Sequence, residues 1–289
     1  MSLYNTKKSK EEILNLYDQK LNSLQINYQY LTISTSFGNT NIINCGEETN
    51  PPIILLHGSN ASAPLALETY YELIPHFKIY AIDILAQPNK SDETRLSMKD
   101  DSYGKWIHEI INYLKIENVT LAGFSFGGLV ILKTLEVDEN KINKVYLSAP
   151  AYIVNGNPLK ALFKIFIPMK KFIKSKNTKY LEKFLKEIFS EKDPFALEFM
   201  YKVLPNFNMD FTPVPTISKQ RANSIKTPIT LFAAEKDLMF PGKKMIQRAI
   251  KIFPSLKSYQ LFKNSNHVFN KQNNDIVCGV IINGRTDNS

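Results

Sequence analysis

Residues 119–129 run Val119-Thr120-Leu121-Ala122-Gly123-Phe124-Ser125-Phe126-Gly127-Gly128-Leu129. Val119 to Ala122 is a short apolar run of the strand-forming kind. Leu129 to Leu135 continues with apolar residues at helical spacing. Between them Gly123, Gly127 and Gly128 bracket Ser125. A turn this tight needs glycine wherever a Cβ would strike the neighbouring strand or helix. The stretch predicts a strand, a sharp turn that holds Ser125 at its apex, and a helix.

The same strand signal recurs at Ile53 to Leu56, Phe77 to Ile82, Val145 to Leu147 and Ile229 to Ala233. Short apolar runs of this sort are expected of strands buried on both faces. Helical periodicity alternates with them over Leu65 to Ile74, Tyr103 to Leu114 and Gly242 to Ile252. Such alternation predicts a parallel sheet covered on both sides. Upstream, a helix over Lys10 to Leu24 precedes a strand over Ile26 to Ser34. A turn at Phe37-Gly38-Asn39 and a strand through Ile42 and Ile43 complete an antiparallel hairpin. Downstream, Lys257 to Phe262 reads as a strand, Asn270 to Ile282 as a closing helix, and Asn283 to Ser289 as a frayed tail.

One segment breaks the alternation. Asn155 to Ser224 holds no strand pattern and reads as several helices punctuated by prolines, Pro168 among them, which interrupts a helix. The chain therefore divides into a core of residues 1–150 and 225–289 and a helical insertion of residues 151–224.

Composition excludes several classes. With 289 residues, 44% hydrophobic and 22% charged, the chain is an ordinary globular one. Its longest apolar runs, Pro52 to Leu56 and Phe77 to Ile84, are too short to span a bilayer. The polar N-terminus carries no apolar signal core, so a cytoplasmic protein is expected. Cys45 and Cys278 are far apart and expected to be reduced thiols. No Cys-x-x-Cys, phosphate-binding loop or dinucleotide fingerprint occurs, and His108-Glu109 lacks a second histidine at metalloprotease spacing. No metal or cofactor is expected. The net charge of +9 is concentrated in the insertion, where thirteen cations face six anions. Solvated lysine on helix faces accounts for it, and a nucleic-acid partner is not expected.

The chemistry centres on Gly123-Phe124-Ser125-Phe126-Gly127, a Gly-x-Ser-x-Gly string placed between strand and helix as a nucleophile elbow requires. A serine hydroxyl needs a base to take its proton. The expected chain order is serine, acid, histidine. His267 is the sole histidine after Ser125, on a loop past the last strand signal. Asp237, just beyond the strand Ile229 to Ala233, is the best-placed acid to orient it. Glu235, Asp210 and Asp275 are weaker candidates. An oxyanion needs two N–H donors: Phe126, after the nucleophile, and Ser59, in the loop after Ile53 to Leu56, with Asn60 as a substitute. Gly58 lets that loop approach the substrate, and His57 supports it by hydrogen bonding. Trp106, within a helical segment, is assigned to the core.

On these residues the chain resembles the α/β-hydrolases over nearly its whole length, and among them bacterial carboxylesterase-like members with a helical cap. The resemblance implies a mostly parallel eight-stranded sheet flanked by helices, with the insertion as a cap over the site. The loop Asp83-Ile84-Leu85-Ala86-Gln87-Pro88-Asn89-Lys90-Ser91 departs from the commoner pattern of Asp, glycines and Ser, and Ala234 replaces a frequent glycine. Relatives that use an elbow aspartate open epoxides or remove halide, whereas Ser125 implies attack on a carbonyl. The implied activity is hydrolysis of a small carboxylic ester through an acyl-enzyme. Alternatives on the same residues are a thioesterase, a lactonase, a carbon–carbon bond hydrolase, or a ligand-binding receptor with slow turnover. The implied partner is a small-molecule ester. The lysine-rich segment Pro158 to Lys176 raises membrane contact as an alternative to a cap helix packed on the core.

Overall fold

The computed structural model describes residues 2–285. Eight strands form one sheet: β1 (Tyr28–Thr35), β2 (Gly38–Cys45), β3 (Pro52–Leu56), β4 (Lys78–Ile82), β5 (Val119–Phe124), β6 (Ile142–Ser148), β7 (Ile229–Ala234) and β8 (Leu256–Phe262). Their spatial order is β1-β2-β4-β3-β5-β6-β7-β8. The hairpin β1–β2 is antiparallel and β2 pairs antiparallel with β4; every later pairing is parallel.

The period-2 alternation of a strand sorts its side chains between two cores. Ile54 and Leu56 enter one core with Trp106, Ile107 and Ile110 of α3 (Ser102–Leu114) and the apolar residues of α4 (Phe126–Val137). Ile53 and Leu55 enter the other with Tyr17 and Leu21 of α1 (Lys7–Ser23), Leu67 of α2 (Ala63–Thr69), and Val277 and Ile281 of α11 (Lys271–Asn283). Trp106 is fully buried, with its indole N–H donating to Thr40 Oγ1 at 2.8 Å. Cys45 and Cys278 are free buried thiols. Of the frayed tail expected over Asn283 to Ser289, Asn283 belongs to α11, and residues 286–289 lie outside those described.

From β3 the chain goes to β4 on one side, then returns to β5 on the other. The two loops leaving β3 and β5 therefore diverge at the carboxyl edge of adjacent strands. That is the switch point at which open α/β sheets leave a crevice.

Between β6 and β7 the chain forms α5 (Pro158–Ala161), a π-helical turn (Leu162–Phe166), α6 (Ile167–Ser175), α7 (Thr178–Ile188), α8 (Pro194–Asn206) and α9 (Lys219–Ser224). Helices α6, α7 and α8 share an apolar cluster that includes Met169, Phe172, Leu181, Phe199 and Val203. Leu3, Tyr4, Ile13 and Leu16 join it, so α1 serves both the sheet and the insertion. The α10 helix (Gly242–Ile252) lies between β7 and β8.

Three local expectations need correction. Pro168 does not interrupt its helix. The missing N–H and the crowding of the preceding turn are absorbed by the wide π turn, in which Ile167 N–H reaches Leu162 O, so helix continues from Pro158 to Ser175. The helix α4 starts at Phe126, three residues before the apolar run, because Gly127 and Gly128 mask its first turn in the sequence. The single helix read over Leu65 to Ile74 is α2 followed by a 3₁₀ turn at Tyr71–Leu73.

Candidate active site

Ser125 sits at the junction of β5 and α4 with φ 54° and ψ −111°, a conformation that β-carbon-bearing residues rarely adopt. Glycine makes that turn possible. A Cβ on Gly127 would lie 2.2 Å from Leu56 O, and one on Gly128 2.5 Å from Pro150 Cβ. Backbone bonds hold the strained residue from both sides: Ser125 N–H donates to Ser148 O at 2.9 Å, and Ala151 N–H donates to Ser125 O at 2.9 Å. Such strain persists where the surroundings over-determine it.

Ser125 Oγ lies 2.9 Å from His267 Nε2, and His267 Nδ1 lies 2.7 Å from Asp237 Oδ2. Asp237 Oδ1 accepts the backbone N–H groups of Met239 at 2.7 Å and Phe240 at 2.9 Å. A carboxylate on Nδ1 fixes the tautomer: Nδ1 carries the proton and Nε2 is left to accept from the serine hydroxyl. The three side chains come from the ends of β5, β7 and β8 and are 142 and 30 residues apart in sequence. All are buried, with Ser125 and His267 each 4% exposed. The Phe124 and Phe240 rings pack on the imidazole at centroid distances of 5.0 and 5.5 Å.

The weaker acids lie elsewhere. Glu235 pairs with Lys243 at 2.9 Å, Asp275 pairs with Lys271 at 2.9 Å, and Asp210 caps Thr212 N–H.

The β3 loop passes directly over the serine: a Cβ on Gly58 would lie 3.4 Å from Ser125 Cβ. Asn60 N–H donates to Gln87 Oε1 at 2.7 Å, so that amide is spent on the loop itself. Ser59 and Phe126 remain the candidate N–H pair, Phe126 being the first residue of α4, whose opening amides have no partner within the helix. His57 braces the loop from beneath. Its Nε2 accepts Ile84 N–H at 3.0 Å and its Nδ1 donates to Gly58 O at 2.7 Å. Full burial pushes its pKa down to about 4, so the ring stays neutral.

Sequence reading missed several residues that shape this site. Asn89 donates to Ile84 O at 2.9 Å and lies 3.3 Å from His57 Nε2. Asp83, buried, accepts Ala63 N–H at 2.7 Å and Asn41 Nδ2 at 2.8 Å, while burial pushes its carboxyl up to about 6. On the far side, Ser190 and Asn266 tie the insertion to the histidine loop. Asn266 Nδ2 donates to Lys186 O at 3.0 Å and Phe189 O at 2.9 Å. The unusual make-up of residues 83–91 was the one available signal for Gln87 and Asn89. Nothing local marks Ser190.

A family model described as the alpha/beta hydrolase fold matches residues 51–165. The crystal structure of the carboxylesterase CesB (YbfK) from Bacillus subtilis superposes with a TM-score of 0.84, covering 98% of this chain and 100% of that one at 21% identity. The chain has the α/β-hydrolase fold. A second solved structure similar to this chain is the naproxen esterase (carboxylesterase NP) from B. subtilis, with a TM-score of 0.84, 21% identity, and 97% and 99% coverage. In sequence, the chain is 24% identical over 272 residues to the uncharacterized carboxylesterase nap of B. subtilis (strain 168), spanning 89% of this chain and 86% of that protein. Among the described residues no helix is long and apolar enough to cross a membrane.

Proposed function

We propose that this protein is a serine hydrolase that cleaves a carboxylic ester through an acyl-enzyme. The observation that carries the reading is the hydrogen-bonded chain from Ser125 through His267 to Asp237 at the carboxyl edge of the sheet. Relatives and structural neighbours named as carboxylesterases support the choice of ester.

The reaction runs as follows on this reading. His267 Nε2 takes the Ser125 hydroxyl proton as Oγ attacks the ester carbonyl carbon. The carbonyl oxygen becomes an oxyanion, which the N–H groups of Ser59 and Phe126 receive. Asp237, its other oxygen held by two backbone amides, stabilises the imidazolium without taking its proton. The imidazolium gives that proton to the departing alkoxide, and the alcohol leaves. Water then enters, loses a proton to His267 and attacks the acyl carbon. The carboxylic acid departs as Ser125 regains its proton. The helical insertion acts as a cap beside the site, held to the histidine loop through Ser190 and Asn266.

Turnover of p-nitrophenyl acetate through octanoate by the wild type and Ser125→Ala tests this. Hydrolysis that depends on acyl length and vanishes in Ser125→Ala supports the reading. Near-wild-type hydrolysis by Ser125→Ala overturns it.

A further inference from the structure

The helix Pro158–Ser175 has an inner and an outer face. Ile165, Met169 and Phe172 are buried, and Met169 and Phe172 pack into the apolar cluster of the insertion. Leu159, Leu162, Phe163 and Phe166 stand at i, i+3, i+4 and i+7, one stripe along the helix, and all four are exposed. Leu159 and Phe163 are each 64% exposed. Phe211, 57% exposed, extends the patch by edge contact with Phe166 at 6.2 Å. Scattered apolar residues on a surface are ordinary, but a contiguous stripe left uncovered marks an interaction site.

The charge around the stripe says what covers it. Residues 158–186 contain nine lysines and a single acid, Glu182. All nine lysines are exposed, and Lys164 pairs with Glu187 of α7 at 3.1 Å. A second copy of the chain would bring nine more lysines against these. An anionic bilayer surface instead offers apolar depth to the stripe and phosphate to the lysines, whose long stems reach past the apolar side chains.

We propose that the outer face of this helix docks the protein onto an anionic lipid bilayer. The stripe inserts among headgroups and acyl chains while the lysines engage lipid phosphate. The segment before the helix is anchored beside the candidate site, with Gly156 N–H donating to Met239 O at 2.7 Å, two residues beyond Asp237. The proposal does not depend on the hydrolytic reading, because it concerns binding alone.

Co-sedimentation of the full chain with phosphatidylcholine vesicles, with and without phosphatidylglycerol, tests it. Binding is expected to the anionic vesicles, to weaken with added salt, and to fall roughly tenfold or more in Phe163→Asp. Leu159→Asp is expected to do the same, so a folding defect in one variant leaves the other as the readout. The triple variant Lys170→Gln, Lys171→Gln, Lys174→Gln is expected to lose most of the salt-sensitive part. No sedimentation with anionic vesicles overturns the proposal. So does equal binding to neutral vesicles, or binding untouched by both aspartate variants. Concentration-dependent self-association abolished by Phe163→Asp, without vesicle binding, assigns the face to a second copy and overturns it too.

Discussion

The backbone N–H of Asn266 donates to Ser190 Oγ at 2.9 Å, and so the residue before His267 is held by a side chain of the helical insertion. The same hydroxyl donates to Val268 O at 2.7 Å and lies 3.0 Å from Ser265 Oγ. Backbone bonds flank it, with Val268 N–H to Ile188 O at 2.8 Å and Ser190 N–H to Val268 O at 3.0 Å. The loop carrying the histidine is thus built from two parts of the chain, and the position of the imidazole depends on the seating of the insertion.

Ser190→Ala removes the side-chain acceptor and leaves the backbone bridge intact. The expected stability loss is about 0.5–1.5 kcal/mol, the usual net worth of such a bond. Turnover is expected to fall about tenfold with KM changed less, because a small misplacement of a reacting group costs rate before it costs binding. Steady-state kinetics on a p-nitrophenyl ester, with Ser190→Thr restoring most of kcat, checks this. A KM increase with kcat untouched would make Ser190 a substrate contact instead.

Asp237→Asn keeps its size and reverses its chemistry. Its remaining oxygen continues to accept from Met239 and Phe240 N–H, so the new NH₂ faces His267 Nδ1. Nδ1 must then accept, Nε2 carries the proton, and the imidazole has no lone pair for Ser125. A loss of about ten-thousand-fold in kcat is expected with the fold retained by circular dichroism. An unchanged rate would remove Asp237 from the reaction.

Acid has opposing effects through two neighbours under the β3 loop. Asp83 is raised from 3.8 to about 6, first by burial, against the bonds from Ala63 and Asn41. Its contribution to stability is full below pH 3.8 and lost as pH rises through 6. His57 is lowered from 6.5 to about 4 by burial. Its contribution is full above pH 6.5 and lost as pH falls toward 4. The two partly cancel between pH 4 and 6 in the wild type. Denaturant melts across that window are expected to show Asp83→Asn losing stability on acidification more steeply than the parent, and His57→Gln less steeply. Parallel curves for all three proteins would contradict these shifts.

Two glycines are expected to respond in opposite ways to alanine. Gly127→Ala would bring a Cβ to within 2.2 Å of Leu56 O, which neither α4 nor β3 can yield without parting. Loss of more than about 3 kcal/mol, or failure to fold, is expected. Gly279, inside α11, has nothing within 4 Å of its would-be Cβ. Gly279→Ala is expected to stabilise by about 0.5–1 kcal/mol, through helix propensity and the unfolded chain. Thermal melts of both decide it.

Most of the sheet was legible because each strand is a local apolar run and each crossover helix a local periodicity. Ser125 was legible for the same reason, since its glycines and flanking elements are contiguous in sequence. Asp237 and His267 follow only from the chain order that the elbow imposes. The Ser190 contact joins residues 76 apart without any repeating pattern, so no window of sequence contains it. The path through Pro168 was misread because proline signals a break, and only the fold shows a π turn accommodating it. The exposed stripe at Leu159, Leu162, Phe163 and Phe166 has the spacing of a core-facing stripe. Periodicity gives a face, and burial alone tells which way that face points.

On the proposed mechanism His267 and Asp237 activate Ser125 as a nucleophile. Labelling with a fluorophosphonate probe, followed by mass spectrometry of the digested protein, tests it most directly. One phosphonyl adduct on Ser125 is expected, absent in Ser125→Ala and strongly slowed in Asp237→Asn. An adduct on a different residue, or none under conditions where the protein is folded, would contradict the account.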